Sequence, residues 1–188
     1  MKLPVSLILS LFVMGKAFLG AADIPAFEWE SEQIDEIEIG YGLQLEDVDG
    51  DGDRDILLAD KKTVQWYENP DWTRHVIAKD LTVRDNVCIA ARDIDGDGKC
   101  EIAIGGQWNF LETRKDGAVH YLVAGDDRSQ PWKPVKLYHE PSVHRMHWIR
   151  NEKDEYSLIV KPLRGIGSVD GIGPGIRILE YRKPDDPS

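Results

Sequence analysis

Two short runs of the chain concentrate oxygen donors at regular spacing. The first reads Asp47-Val48-Asp49-Gly50-Asp51-Gly52-Asp53-Arg54-Asp55, the second Asp93-Ile94-Asp95-Gly96-Asp97-Gly98-Lys99-Cys100-Glu101. Each places carboxylates at loop positions 1, 3, 5 and 9 and glycine at 4 and 6. Ca²⁺ takes roughly six to eight oxygens, and alternate acids in a tight turn supply them. Glycine lets the backbone curl inward around the ion. The position-7 carbonyl, from Asp53 or Lys99, adds a further donor, and Asp55 or Glu101 at position 9 closes the set. The expected metal residues are therefore Asp47, Asp49, Asp51, Asp53 and Asp55, and Asp93, Asp95, Asp97, Lys99 and Glu101, for two Ca²⁺ ions. The competing reading is an acidic, solvated turn. Two copies with one spacing argue against it, because acids crowded without a cation repel one another.

The loops do not read as EF-hands. That motif needs a bidentate Glu at position 12 and helices on both sides. Position 12 is Leu58 in one copy and Ile104 in the other, within the strand-like flanks Ile56-Leu57-Leu58 and Ile102-Ala103-Ile104. Dockerin-type loops fail for the same lack of a following helix. Each loop therefore joins two strands.

The rest of the chain must position these loops. It has 188 residues, 41% hydrophobic and 30% charged, an ordinary globular composition for one domain. With 34 acids against 23 Lys and Arg, the net charge is -11, which argues against a nucleic-acid partner. Met1-Lys2, an apolar run from Leu3 to Met14 and the small residues Gly20-Ala21-Ala22 read as a signal peptide over 1–22. Cleavage near Ala22 implies export to the periplasm or the extracellular space. The run is short of the roughly twenty residues that a membrane span needs. Cys88 and Cys100 could pair in an exported chain. In neighbouring antiparallel strands, however, Cys100 faces Arg92 and Cys88 faces a residue near Ile104. That leaves the thiols about four residues, roughly 13 Å, out of register, so they read as two small core residues.

Asp47 and Asp93 lie 46 positions apart, a period typical of solenoids, propellers and arrays. A third strand over Thr63–Pro70, an Asn69-Pro70 turn and a fourth strand over Trp72–Ile77 complete one unit. Ala118–Val123 and Trp132–Tyr138 complete the next. A third unit begins at His144-Arg145-Met146-His147-Trp148, has a degenerate loop at 150–157, a strand Leu158–Val160, a glycine-rich insertion over 165–175 and a strand Ile176–Tyr181. Its loop has lost most acidic positions, so no calcium is expected there. The pattern predicts an all-β chain of propeller blades, each of four antiparallel strands.

Asp-x-Asp-Gly-Asp-Gly-x-x-Asp followed by an apolar strand resembles the FG-GAP/VCBS-type repeats. Trp66-Tyr67-Glu68-Asn69-Pro70 and Trp72-Thr73-Arg74-His75-Val76-Ile77 look like exported bacterial members of that group. The resemblance covers roughly 27–181 and implies a partial propeller over 23–188. Phe27–Ile34 reads as an outermost strand that precedes the first loop strand, and the third unit ends without a fourth strand. About three blades cannot close a ring, so the expectation is an open, N-terminal part of a seven- or eight-bladed propeller. Additional blades would come from a longer parent chain. The alternative is a short protein that assembles with its own copies.

In such a blade the calcium loop joins the innermost strand to the second, and the other ends of those strands meet at the opposite mouth of the ring. Candidate ligand residues there are Tyr41, Asp85, Asn86, Trp108, His144, Arg145, Lys161 and Arg164, a mixture that suits a sugar or another polyol. Trp108, His144, and Lys161 with Arg164 have plainer readings, as a packing aromatic, a strand-end histidine and solvated cations. Two functional readings follow. One is a non-enzymatic exported module with structural calcium that binds carbohydrate or another surface protein. The other is the propeller portion of a carbohydrate-active enzyme. The His144-Arg145-Met146-x-Trp148 segment is similar to propeller domains of aldos-2-ulose dehydratase-like proteins, and more loosely to propeller polysaccharide lyases. That similarity makes His144 and Arg145 candidate catalytic residues. No nucleophile elbow, zinc cluster or phosphate loop is present, so the first reading is favoured for this chain alone.

Overall fold

The computed structural model describes residues 29–170 and 172–187. Residues 1–22, where a signal peptide is expected, lie outside them. The chain divides into two units, 1–33 and 34–188. Residues 29–33 of the first unit are exposed and carry no strand, and neither does Ile34. The described part of the expected leading strand, Phe27–Ile34, is thus not a strand. Its acid-rich sequence Glu30-Ser31-Glu32-Gln33 offers little to bury.

The second unit is all-β among the described residues. Its strands are β1 Gly42–Glu46, β2 Asp55–Ala59, β3 Thr63–Glu68, β4 Thr73–Lys79, β5 Cys88–Arg92, β6 Glu101–Gly106, β7 Ala118–Val123, β8 Lys133–Leu137, β9 Val143–Arg150, β10 Tyr156–Pro162 and β11 Leu179–Arg182. They form three antiparallel sheets in the orders β1-β2-β3-β4, β5-β6-β7-β8 and β9-β10-β11. Strands follow one another across each sheet, the meander of a propeller blade. β1 packs beside β5, and β5 beside β9, so the leading strands of the three blades adjoin.

Side-chain alternation explains why the blades stack. Leu57, Ala59, Val64 and Trp66 of the first blade meet Ile89, Ala91, Ile102, Ile104 and Leu122 of the second. Its other face presents Cys88, Ala90, Ala103 and Val119 to Val143, Met146, Leu158 and Val160 of the third. β6 is therefore buried along its whole length, with bulky residues on one face and small ones on the other. Gly105 is required there. A Cβ would sit 2.5 Å from Cys88 Sγ and 2.7 Å from Val143 Cγ1. Burial of each large aliphatic side chain at these seams contributes about 1.5–3 kcal/mol.

Within the second unit the strand order agrees with the sequence reading, but strand ends differ at several places: Trp132 and Tyr138, for example, lie just outside β8. Trp72 is not the first residue of β4; it sits in the preceding turn at φ 58, its N–H donating to Glu68 O at 2.7 Å. Residues 176–178 precede β11 rather than opening it. The loop before them turns aside to the second blade, where Gly167 N donates to Thr113 O at 3.1 Å and Thr113 Oγ1 to Ser168 O at 2.9 Å. Both cysteines are buried free thiols. Cys88 faces Gly105, and Arg92 faces Glu101, the residue after Cys100.

Candidate functional site

The two acidic runs form the β1–β2 and β5–β6 turns with matching internal geometry. In the first, Asp47 accepts from Gly50 N at 2.7 Å and Gly52 N at 2.9 Å through its two carboxylate oxygens. Asp49 accepts from Asp51 N at 3.1 Å, and Asp51 from Asp53 N at 2.8 Å. In the second, Asp93 accepts from Gly96 N at 2.6 Å and Gly98 N at 3.1 Å. Asp95 accepts from Asp97 N at 3.1 Å, and Asp97 from Lys99 N at 2.8 Å. Gly50, Gly52, Gly96 and Gly98 all have φ between 86 and 98. That left-handed conformation strains any side chain, so glycine at positions 4 and 6 is a backbone requirement.

Position 9 belongs to the following strand. Asp55, 1% exposed, accepts from Val48 N at 2.8 Å and from Asn69 N at 3.0 Å. Glu101, 3% exposed, reaches the equivalent Ile94 N at 3.0 Å. Carboxylate oxygens of Asp47, Asp49 and Asp55 lie within 4.8 Å of one another, and so do those of Asp93, Asp95 and Glu101. Burial pushes the Asp55 carboxyl above the ordinary range, with Asp49 and Asp47 adding to the rise. Burial likewise pushes Glu101 up to about 7, with Asp95 and Asp97 adding to it. Asp49 is also raised, first by burial and then by its acidic neighbours. Three converging carboxylates, one of them buried, form a hard oxygen-donor set of the kind that suits Ca²⁺.

The sequence placed positions 1, 3, 5 and 9 on an equal footing, and the structure divides them. Positions 1, 3 and 9 converge. Asp51 and Asp97, at position 5, hold backbone N–H groups and stand outside the three-carboxylate groups. In the third blade the corresponding turn is organised by Asn151, whose side-chain oxygen accepts from Lys153 N at 2.8 Å and Glu155 N at 3.0 Å.

Residues 47–104 match the FG-GAP-like repeat family. The match begins at the first carboxylate of one loop and ends in the strand that follows the other. No curated protein matches the chain.

At the mouth opposite the FG-GAP-like loops, the structure brings some candidate residues together. The Trp108 and His144 rings lie tilted against each other with centroids 5.3 Å apart, and Arg145 Nη1 donates to His144 Nε2 at 3.2 Å. Burial, then Arg145 and Lys161, hold His144 below the ordinary histidine range. Arg164 lies elsewhere in that loop group, its guanidinium 4.2 Å above the Phe110 ring. Tyr41 is 50% exposed just before β1. Asp85 offers its carbonyl to Trp108 N at 3.1 Å. Asn86 is committed to the scaffold: it is buried, and its Nδ2 donates to Asp60 O at 2.8 Å and Thr63 O at 3.2 Å. Asp116 was not singled out from the sequence. It receives Asn109 Nδ2 at 2.5 Å and Gln107 Nε2 at 3.2 Å, and it pairs with Arg84 at 3.3 Å. Gln107 and Asn109 share the β6–β7 loop with Asp116 while Arg84 comes from the β4–β5 loop, at irregular separations, so no motif announces them.

Among the described residues, no helix is long and apolar enough to cross a membrane.

Proposed function

We propose that this chain is a calcium-stabilised FG-GAP-type blade module, exported, which presents its opposite mouth to a carbohydrate or another surface protein. The observation that carries the calcium reading is the repetition of one carboxylate arrangement, each copy built on a buried position-9 acid. In the first loop the donors would be the converging carboxylates of Asp47, Asp49 and Asp55 with the Asp53 carbonyl, and in the second those of Asp93, Asp95 and Glu101 with the Lys99 carbonyl. Asp51 and Asp97 would join them by turning their second carboxylate oxygen inward on binding. Bound Ca²⁺ supplies positive charge that offsets the repulsion among the carboxylates. The protein's part is to hold the acids ready. Gly50, Gly52, Gly96 and Gly98 set the turns, and backbone N–H groups fix the carboxylate rotamers. The role is structural, because each loop ties a blade's innermost strand to its second. Export rests on residues 1–22. The polyol reading rests on the Trp108–His144–Arg145 group, which offers an aromatic face beside hydrogen-bond donors.

The test is calorimetric titration of the chelator-treated chain with Ca²⁺, with thermal unfolding followed in parallel. Two bound ions and a raised unfolding temperature are expected. Asp55→Asn and Glu101→Gln should each remove one ion. Absence of both heat and stabilisation overturns the reading.

A further inference from the structure

The two loops belong to different blades, yet they touch. Cys100 N, at the end of the second loop, donates to Asp47 O, at the start of the first, at 2.9 Å. Cys100 is 1% exposed, and its carbonyl accepts from Arg128 Nη2 at 2.5 Å, so the backbone on both sides of its Cα is held. The preceding residue crosses the same gap. The Lys99 side chain lies flat on Gly50: a Cβ there would meet Lys99 Cε at 2.9 Å and Cγ at 3.0 Å. Gly50 donates to Asp47, the first carboxylate of its own loop.

From this geometry we infer that Lys99 is a positioning residue that couples the two cation sites, so that filling the second loop prepares the first. The inference rests on the calcium reading above. Lys99 would give its carbonyl to the second loop's ion while its stem braces Gly50 in the first. An ion in the second loop orders residues 97–101. That order fixes the Lys99 stem and the Cys100 N–H, and these hold Gly50 and the Asp47 carbonyl in place. The first loop then loses less conformational freedom when it binds, which is positive coupling without a large structural change. The aliphatic stem does this, while the ammonium opposes a nearby cation.

The test is Ca²⁺ calorimetry on the full chain. Disabling the second loop with Asp93→Asn/Glu101→Gln should weaken the first by about tenfold, and Asp47→Asn/Asp55→Asn should weaken the second by the same factor, because coupling is reciprocal. Lys99→Ala keeps the carbonyl and every carboxylate. It should weaken first-loop binding by about fivefold, within the ordinary range of site coupling. Lys99→Met keeps the stem without its charge and should bind at least as tightly as the wild type. Two ions bound with affinities indifferent to the other loop and to Lys99→Ala would overturn the coupling and leave the calcium reading intact. Equal weakening by Lys99→Ala and Lys99→Met would overturn the role of the stem. A wild-type chain that binds no Ca²⁺ would overturn both readings.

Discussion

Glu101→Gln should move the stability of this protein in opposite directions with and without Ca²⁺. Glu101 is 3% exposed and sits beside Asp93 and Asp95. Burial first, then the neighbouring acids, raise its carboxyl from 4.5 to about 7, against the pull of the Ile94 N–H. In the metal-free chain the native state therefore holds this proton more tightly than the unfolded state. The resulting stability is fully present below about pH 4.5 and is lost as pH rises through about 7. A rise of about 2.5 units at 1.36 kcal/mol per unit amounts to about 3 kcal/mol. Water around the outer part of the loop makes that an upper bound. Asp55 is shifted in the same direction and adds to the trend. Above neutral pH in chelator, Glu101→Gln should thus be more stable than wild type by up to about 3 kcal/mol. In saturating Ca²⁺ the order should reverse, because the variant loses a donor. A site filled at a thousand times its Kd is worth about 4.1 kcal/mol, more than the roughly 3 kcal/mol the variant gains without metal. Urea midpoints measured at about pH 5 and pH 8, with chelator and with Ca²⁺, check this. If the variant is less stable than wild type in chelator at the higher pH, burial and the neighbouring acids do not penalise the ionised carboxylate, and the reasoning fails.

Other expectations concern the scaffold and the opposite mouth. Gly105→Ala should destabilise the seam between the second and third blades by about 1–3 kcal/mol, because its Cβ overlaps Cys88 and Val143; denaturant unfolding measures it. Asn86→Ala leaves the Asp60 and Thr63 carbonyls without their side-chain donor and should cost about 2 kcal/mol in the same assay. Burial pushes the Cys88 thiol up to about 12 and raises Cys100 as well, so neither should react with an aromatic disulfide reagent at neutral pH until the chain is unfolded. His144→Ala should leave Ca²⁺ affinity and the unfolding temperature unchanged while weakening binding of any sugar found to dock at the Trp108 mouth. Calorimetry on both ligands separates the effects.

The sequence by itself determined what depends on local pattern. Alternating acids with glycine at positions 4 and 6 specify a turn, because only glycine accepts the positive φ found at Gly50, Gly52, Gly96 and Gly98. Apolar alternation after each loop specifies β2 and β6, and the 46-residue offset between Asp47 and Asp93 specifies repeated units. It also kept Cys88 and Cys100 apart, since strand register follows from loop length. Tertiary structure decided whatever depends on partners distant in sequence. Asn86 reads as a mouth residue until the first blade's carbonyls claim its amide. The contact of Lys99 with Gly50 joins residues from different blades. It exists only because the two blades stack on one apolar seam, which brings together turns that no local pattern relates.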